Sequence, residues 1–246
     1  MKRRYWCLFV MLFAFGKATF GQSGENGQAE EIRRTVVGTV YLGPAYTAPL
    51  GSYRQAYPHA DALGGTFGLL INPRKYPSPL ELGLQGSYLS QGVDKNPSNY
   101  SRTYPTLKTS HSIVPLHFIA RVKPQREMPF KPYLDGLAGI SIFNTRTKLK
   151  EDIFDFMRQD HEAFVLDRYR TTVISFGMGV GMLFWQNKSK DAYADLRVTY
   201  LQSPFASYVK KGQVRVLQDG FPAYEFTRSE TNMLLINLNI AGVLTH

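Results

Sequence analysis

The sequence predicts an all-β fold: an eight-stranded antiparallel up-and-down transmembrane β-barrel behind an N-terminal signal peptide. Three observations predict it. The first is an inverted strand at Thr171–Trp185. Thr172, Ile174, Phe176, Met178, Val180, Met182 and Phe184 share one parity, while Val173, Ser175, Gly177, Gly179, Gly181 and Leu183 share the other. Successive strand side chains point to opposite faces. One face is therefore greasy and the other nearly empty. A soluble sheet covers its second face with charged residues, whereas glycines suit the crowded inside of a narrow barrel whose bulky face looks into lipid.

The second observation is that the inversion repeats in eight segments joined by alternately long and short connections. The third is the contrast between the start of the chain and the rest. Lys2, Arg3 and Arg4 precede an unbroken apolar run, Trp6–Phe15, and Thr19 and Gly21 offer small residues before a cut near Gln22. This is the layout of a secretory signal peptide, and ten apolar residues are too few to span a bilayer as a helix. No later segment approaches the roughly 18 apolar residues of a membrane helix. The expected organisation is a signal peptide at 1–22, a flexible polar leader at 23–34 and a barrel domain at 35–246.

The elements follow in order. Strand one is expected at about Thr35–Tyr46, with Val36, Val40, Leu42 and Tyr46 against Thr39 and Gly43. Strand two, about Ala60–Ile71, sets Leu63, Phe67, Leu69 and Ile71 against Ala62, Gly64, Thr66 and Gly68. Strand three, about Pro79–Ser90, sets Leu80, Leu82, Leu84 and Tyr88 against Glu81, Gly83, Gln85 and Ser87. Strand four, about Ser110–Lys123, sets Val114, Leu116, Phe118, Ala120 and Val122 against His117 and Arg121. Strand five, about Pro132–Thr145, sets Leu134, Ala138, Ile140 and Ile142 against Asp135, Gly139 and Ser141. Strand six is the stretch described first. Strand seven, about Ala192–Leu201, sets Ala194, Leu196, Val198 and Tyr200 against Tyr193, Asp195, Arg197 and Thr199. Strand eight, about Met233–His246, sets Leu234, Ile236, Leu238, Ile240 and Leu244 against Asn237, Asn239 and Ala241.

The short connections, near Asn72–Ser78, Pro124–Lys131 and Gln186–Asp191, carry turn residues such as Pro73, Pro77, Pro124 and Asn187. The long ones are Thr47–His59, Gln91–Thr109, Arg146–Arg170 and Gln202–Asn232, with a short amphipathic helix expected at Asp152–Leu166. Short turns at one end and long loops at the other describe an outer-membrane barrel with both termini in the periplasm.

Tyr46, Tyr88 and Tyr200 end their strands on the apolar parity, and Phe184 and Trp185 stand at the opposite end. These five form an expected aromatic girdle. Glu81, Arg121, Asp135, Asp195 and Arg197 all fall on the small-residue face. A midplane Arg or Lys facing lipid would cost about 2–4 kcal/mol, so this parity marks the lumen. Arg121 is expected between Glu81 and Asp135, with Asp195 and Arg197 beside Asn237 and Asn239.

The hairpin Ile113–Arg121, IVPLHFIAR, followed by Lys131–Phe143, KPYLDGLAGISIF, resembles the central hairpin of small outer-membrane β-barrel proteins of Bacteroidetes type. The resemblance implies the eight-stranded OmpA/OmpX-like barrel, a functionally diverse group. The chain departs from it by ending Leu244–Thr245–His246 instead of on an aromatic residue.

The formal net charge is +10, and loss of Lys2, Arg3, Arg4 and Lys17 with the signal peptide leaves a modestly basic chain with scattered cations. No basic helix or basic–aromatic ladder points to nucleic acid. The only cysteine is Cys7, inside the signal peptide, so no disulfide or thiolate metal site is expected. The histidines lack metal spacing, and no metal or cofactor is expected. Some eight-stranded barrels act on lipid A through a rim His and Ser, which singles out Ser110, His111 and Ser112. No triad order or oxyanion element accompanies them, so the expectation is a non-enzyme. The expected function is structural or surface-interacting, through four long loops. The alternatives are a lipid-A-modifying enzyme or a narrow channel. The expected partners are outer-membrane lipid and lipopolysaccharide, the outer-membrane assembly machinery and a surface ligand met through the loops. The chain is expected to be a monomer.

Overall fold

The computed structural model describes residues 36–73, 79–101, 104–124, 128–150, 165–184, 192–217 and 222–245. The expected signal peptide and leader, Trp185 and His246 lie outside them. The elements are β1 (Val36–Pro49), α1 (Gly51–Ala56), β2 (Ala62–Ile71), β3 (Leu80–Ser101), β4 (Tyr104–Val122), β5 (Lys131–Lys150), β6 (Val165–Phe184), β7 (Ala192–Gln202), β8 (Phe205–Val216), β9 (Pro222–Glu230) and β10 (Met233–Thr245). Eight strands close a barrel in the order β1-β10-β7-β6-β5-β4-β3-β2, and β8 and β9 form a separate two-stranded sheet. Each wall strand pairs antiparallel with both neighbours, and β1 seals the seam against β10 through Leu42↔Ile240 and Tyr46↔Ile236.

The wall is inverted as the alternation requires. On β6, Ile174, Phe176, Met178 and Val180 are 57–60% exposed on the outside, whereas Ser175 is fully buried within. Leu42, Leu63, Phe67, Leu84, Leu134 and Ile240 continue the outer belt. The register places these side chains at similar heights, with Leu42 opposite Phe67, Leu84 opposite Leu69 and Phe118, and Val180 opposite Leu134 and Val198. In water each large side chain left uncovered would forgo about 1.5–3 kcal/mol of burial free energy. A continuous belt of them is stable only against an apolar medium.

Three departures from the expected layout matter for the site. Strands β3 to β6 overrun the expected ends, and the paired strands rise well beyond the belt: Asp94 still faces Thr109, and Thr109 faces Thr147. The expected loop Gln202–Asn232 is largely a β-hairpin, β8 paired to β9 from Phe205↔Glu230 to Val216↔Pro222. The first long loop folds in part as the short helix α1, whose Tyr53 is buried. Of the helix expected at Asp152–Leu166, Val165 and Leu166 belong to β6 instead, and the remainder lies outside the described residues. No described helix is long and apolar enough to cross a membrane.

Candidate functional site: the sealed lumen and its cap

The lumen is filled in layers, from the end where β1 begins and β10 ends to the loop end. At the first of these ends Lys123 Nζ donates to Glu81 Oε1 at 2.5 Å. This corrects the expected plug, in which Glu81 was to pair with Arg121. Glu81 and Arg121 do face one another across β3 and β4, but Lys123 has the same inward parity and lies just past the end of β4. It takes the carboxylate because Arg121 turns inward to a better-matched acceptor.

That acceptor is Asp135, directly opposite on β5. Arg121 donates to it through Nε and Nη2, at 2.8 and 3.0 Å. A planar guanidinium fits a carboxylate by such a two-bond fork. Arg197 of β7 reaches the same carboxylate at 3.0 Å and also donates to Gln85 and to the Tyr41 hydroxyl. Asp195 accepts from the Tyr133 hydroxyl and from Asn239 at 3.2 Å, and lies 3.9 Å from Arg121. Arg121 stacks 3.7 Å from the Tyr133 ring centroid, and Arg197 lies 5.1 Å from that of Tyr41. The four charged side chains are essentially inaccessible. Two cations against two anions is the balance a low-dielectric interior demands, since an unpaired buried charge is strongly destabilising.

The glycines of β6 make this network possible. Asp135 faces Gly179, and Arg197 faces Gly181, so the strand between β5 and β7 contributes no side chain at this height. Arg197 crosses the gap. Gly181 also admits the Tyr133 ring, with which a Cβ there would collide. Gly68 admits Tyr41 in the same way.

Above the ionic layer come neutral hydrogen bonds. Asn237 donates to Thr66 at 2.7 Å, Thr66 pairs with Ser87 at 2.7 Å, and His117 Nε2 lies 2.7 Å from Ser175. Above these, Leu89, Ile113, Leu201 and Leu235 close the bore with apolar contact. An aromatic cap then covers the mouth. Tyr53 of α1 stands edge-on to Tyr208 of β8 at 5.3 Å, to Phe143 at 6.3 Å and to Tyr57 at 6.5 Å. Edge-to-face pairs at such distances each contribute about 0.5–1.5 kcal/mol beyond the area they bury.

Polar contacts fasten the cap to the wall. Gln91 donates to the Tyr53 hydroxyl at 2.8 Å and to the Ala60 carbonyl at 3.1 Å. The Lys211 amide donates to the Tyr57 hydroxyl at 3.0 Å, and the Gly212 amide to Asp94 at 2.5 Å. Gly212 has φ near +82°, the left-handed region that favours glycine in a tight turn. His111, in the part of β4 that rises beyond the belt, lies between Asp94, 3.4 Å from Nε2, and Thr145, 3.2 Å from Nδ1. Burial holds its pKa below the usual imidazole value, against the opposing pull of Asp94. Higher still, Leu107, Val209 and Val214 pack with Leu166, Tyr169 and Tyr224, and the Tyr224 hydroxyl donates to Thr147 at 2.8 Å.

The other sequence-derived candidates are placed as follows. Tyr46, Tyr88 and Tyr200 point outward; Tyr46 and Tyr200 stand near the loop ends of their strands, whereas β3 runs on to Ser101 and leaves Tyr88 short of its middle, and the Tyr46 hydroxyl donates to Asp61 at 2.9 Å. Phe184 is half-buried at the opposite end. Ser110, His111 and Ser112 are not brought together: Ser110 donates to the Arg146 carbonyl at 3.3 Å, Ser112 accepts from Asn144 at 3.4 Å, and the partners of His111 are Thr145 and Asp94. No described group of His, Cys, Asp or Glu could hold a metal ion. Sequence reasoning missed Tyr41, Tyr133 and Gln85 as members of the ionic cluster. Their inward parity was the available signal, together with a glycine opposite each tyrosine, Gly68 and Gly181.

No family model matches the sequence, and no curated protein matches it. Solved structures do. A major outer membrane protein of Thermus thermophilus superposes with a TM-score of 0.50 at 11% identity, over 84% of this chain and 99% of that one. Neisserial surface protein A gives 0.45 at 11% identity, over 85% and 97%. Outer Membrane Protein W of E. coli gives 0.42 at 13% identity, over 86% and 100%. The fold is that of the outer-membrane β-barrels. At such identities the likeness concerns the fold alone.

Proposed function

We propose that the chain is an outer-membrane β-barrel of non-enzymatic, surface-interacting role, exported by its signal peptide, with both termini in the periplasm and its elongated hairpins outside the cell. The observation that carries this is the pairing of an apolar exterior belt with a lumen stoppered at two heights. The belt needs hydrocarbon around it. The stoppers argue against conduction: the bore is crossed by Arg121 and Arg197 at about 1% exposure or less, then by an apolar layer and the Tyr53–Tyr208 cap. What remains for interaction is the raised, loop-end part of β3 to β6 with the β8–β9 hairpin. Phe205, Phe226 and Leu217 there are each about half exposed. The separation of Ser110, His111 and Ser112 favours a non-enzyme over a lipid-A-modifying enzyme. The hairpin motif favours membership of the Bacteroidetes-type barrels, with the assembly machinery as folding partner and a monomer as the working form.

The test is membrane fractionation with heat-modifiable gel mobility, followed by protease treatment of intact cells. The expected result is outer-membrane recovery, a mobility shift on boiling and cleavage confined to loop-end segments. Recovery in the soluble fraction without a shift overturns the reading. In planar bilayers the folded protein should conduct no steady ion current.

A further inference from the structure

The raised parts of β3 to β6 present to the outside a face unlike the belt beneath it. Lys95, Lys108 and Lys148 stand in one cross-strand row, Lys95↔Lys108 and Lys108↔Lys148. One row nearer the belt, Arg146 faces Arg168. In the next row Arg170 faces Asn144, which accepts at 2.9 Å from the Arg168 Nε. Like charges directly opposite each other destabilise a sheet, and here they do so in consecutive rows. No carboxylate among the described residues forms an ion pair with any of the six. Asp94 and Asp167 lie on the opposite, inner face: Asp94 meets Gly212 and His111, and Asp167 stands beside the Tyr224 hydroxyl. The inner face of the same strands is packed by Val209, Val214, Tyr224 and Phe226 of the hairpin. Among the described residues, no other segment packs on the outer face.

Its position names the occupant. Thr172 and the 57%-exposed Ile174 lie immediately below Arg170 on the same outward parity of β6. The cations therefore begin where the apolar belt ends, at the height of lipid head groups. We propose that this face binds the phosphate groups of anionic glycolipid in the surrounding outer leaflet, with the lysine row and Arg146, Arg168 and Arg170 bridging phosphates of adjacent molecules. The inference rests on the outer-membrane reading. The like-charge rows are then the unliganded half of a charge-matched lattice, relieved when phosphate sits between them.

The experiment uses the full chain folded in detergent micelles, titrated with bisphosphorylated lipid A and, separately, with fully dephosphorylated lipid A and inorganic pyrophosphate. Heat-modifiable mobility confirms closure in every sample, so a failed barrel reads differently from a failed site. The phosphorylated lipid should bind and the other two should not. Lys95→Gln/Lys108→Gln/Lys148→Gln should weaken binding about a hundredfold, at roughly one decade or less per surface cation. The same triple variant, without lipid, should unfold at higher urea than the parent, because cross-strand repulsion is removed. Equal binding by parent and variant, or equal binding of the dephosphorylated lipid, overturns the proposal. So does binding of pyrophosphate alone, or binding that appears only after Glu151, Asp152, Asp155, Asp160 and Glu162 are neutralised. The last result would mean that these five carboxylates, not lipid phosphates, are the counter-charges of the face.

Discussion

The two stoppers of the lumen solve the same problem by opposite chemistry. Near the termini, Arg121, Arg197, Asp135 and Asp195 fill the bore with charges that are tolerable only because each is answered by another. At the loop end, Tyr53, Tyr57, Tyr208 and Phe143 fill it with rings that need no charged partner. The ionic stopper is built by wall strands alone and is fixed by register. The aromatic one is assembled from α1, β5 and β8, segments far apart in the chain. The first should break all at once when a partner is lost, and the second should loosen locally.

Asp135→Ala tests the ionic side and should have the largest effect. It leaves Arg121 with Asp195, 3.9 Å away, and takes from Arg197 its carboxylate partner, and should cost about 3–5 kcal/mol, read as a lower urea midpoint for the entire barrel. Tyr53→Ala tests the aromatic side. Truncating a buried ring costs about 3–5 kcal/mol in a rigid core, but here the loss should stay in the cap. Amide exchange in β8 and β9 should accelerate while the barrel midpoint barely moves. Because the ionic layer still seals the bore, this variant should remain silent in planar bilayers; a steady current would show the cap to be the only true seal.

Gly181→Ala comes next. The added methyl would enter the Tyr133 ring, and overpacking of this kind costs about 1–3 kcal/mol. Tyr133→Leu in the same background should recover part of it. The smallest expected effect is a pH dependence of the cap. Burial depresses the His111 pKa in the folded protein, so the unfolded or opened form takes up the proton first. Stability is then full above the ordinary imidazole value and declines as pH falls through it toward the folded value. Exchange protection near Gly212 should drop a few-fold on acidification from pH about 7.5 to about 5.5. His111→Gln should flatten the profile.

The barrel was legible in the sequence because lipid makes one parity of each strand unmistakable, as on β6 and β7. The register of Asn237 with Arg197, and of Asn239 with Asp195, was equally open to parity. The partner of Glu81 was not, because Arg121 and Lys123 share the inward parity at the end of the same strand and parity alone does not choose between them. The cap was hidden for a different reason. Lys210, Lys211 and Gly212 interrupt the alternation of β8 and resemble a solvated loop, and the irregular register between Val209 and Val214 conceals the hairpin. Tyr53 sits in the long connection Thr47–His59, whose sequence contains nothing to say that a mouth awaits it.

The match of Tyr41 to Gly68 has one more consequence. Sliding β1 against β2 by one residue pair in either direction along the same face would set that ring on Thr66 or Leu70, where a side chain already stands. The strand that must seal the barrel therefore carries its own alignment key. A nascent chain that zips out of step meets a steric stop before its ends can join.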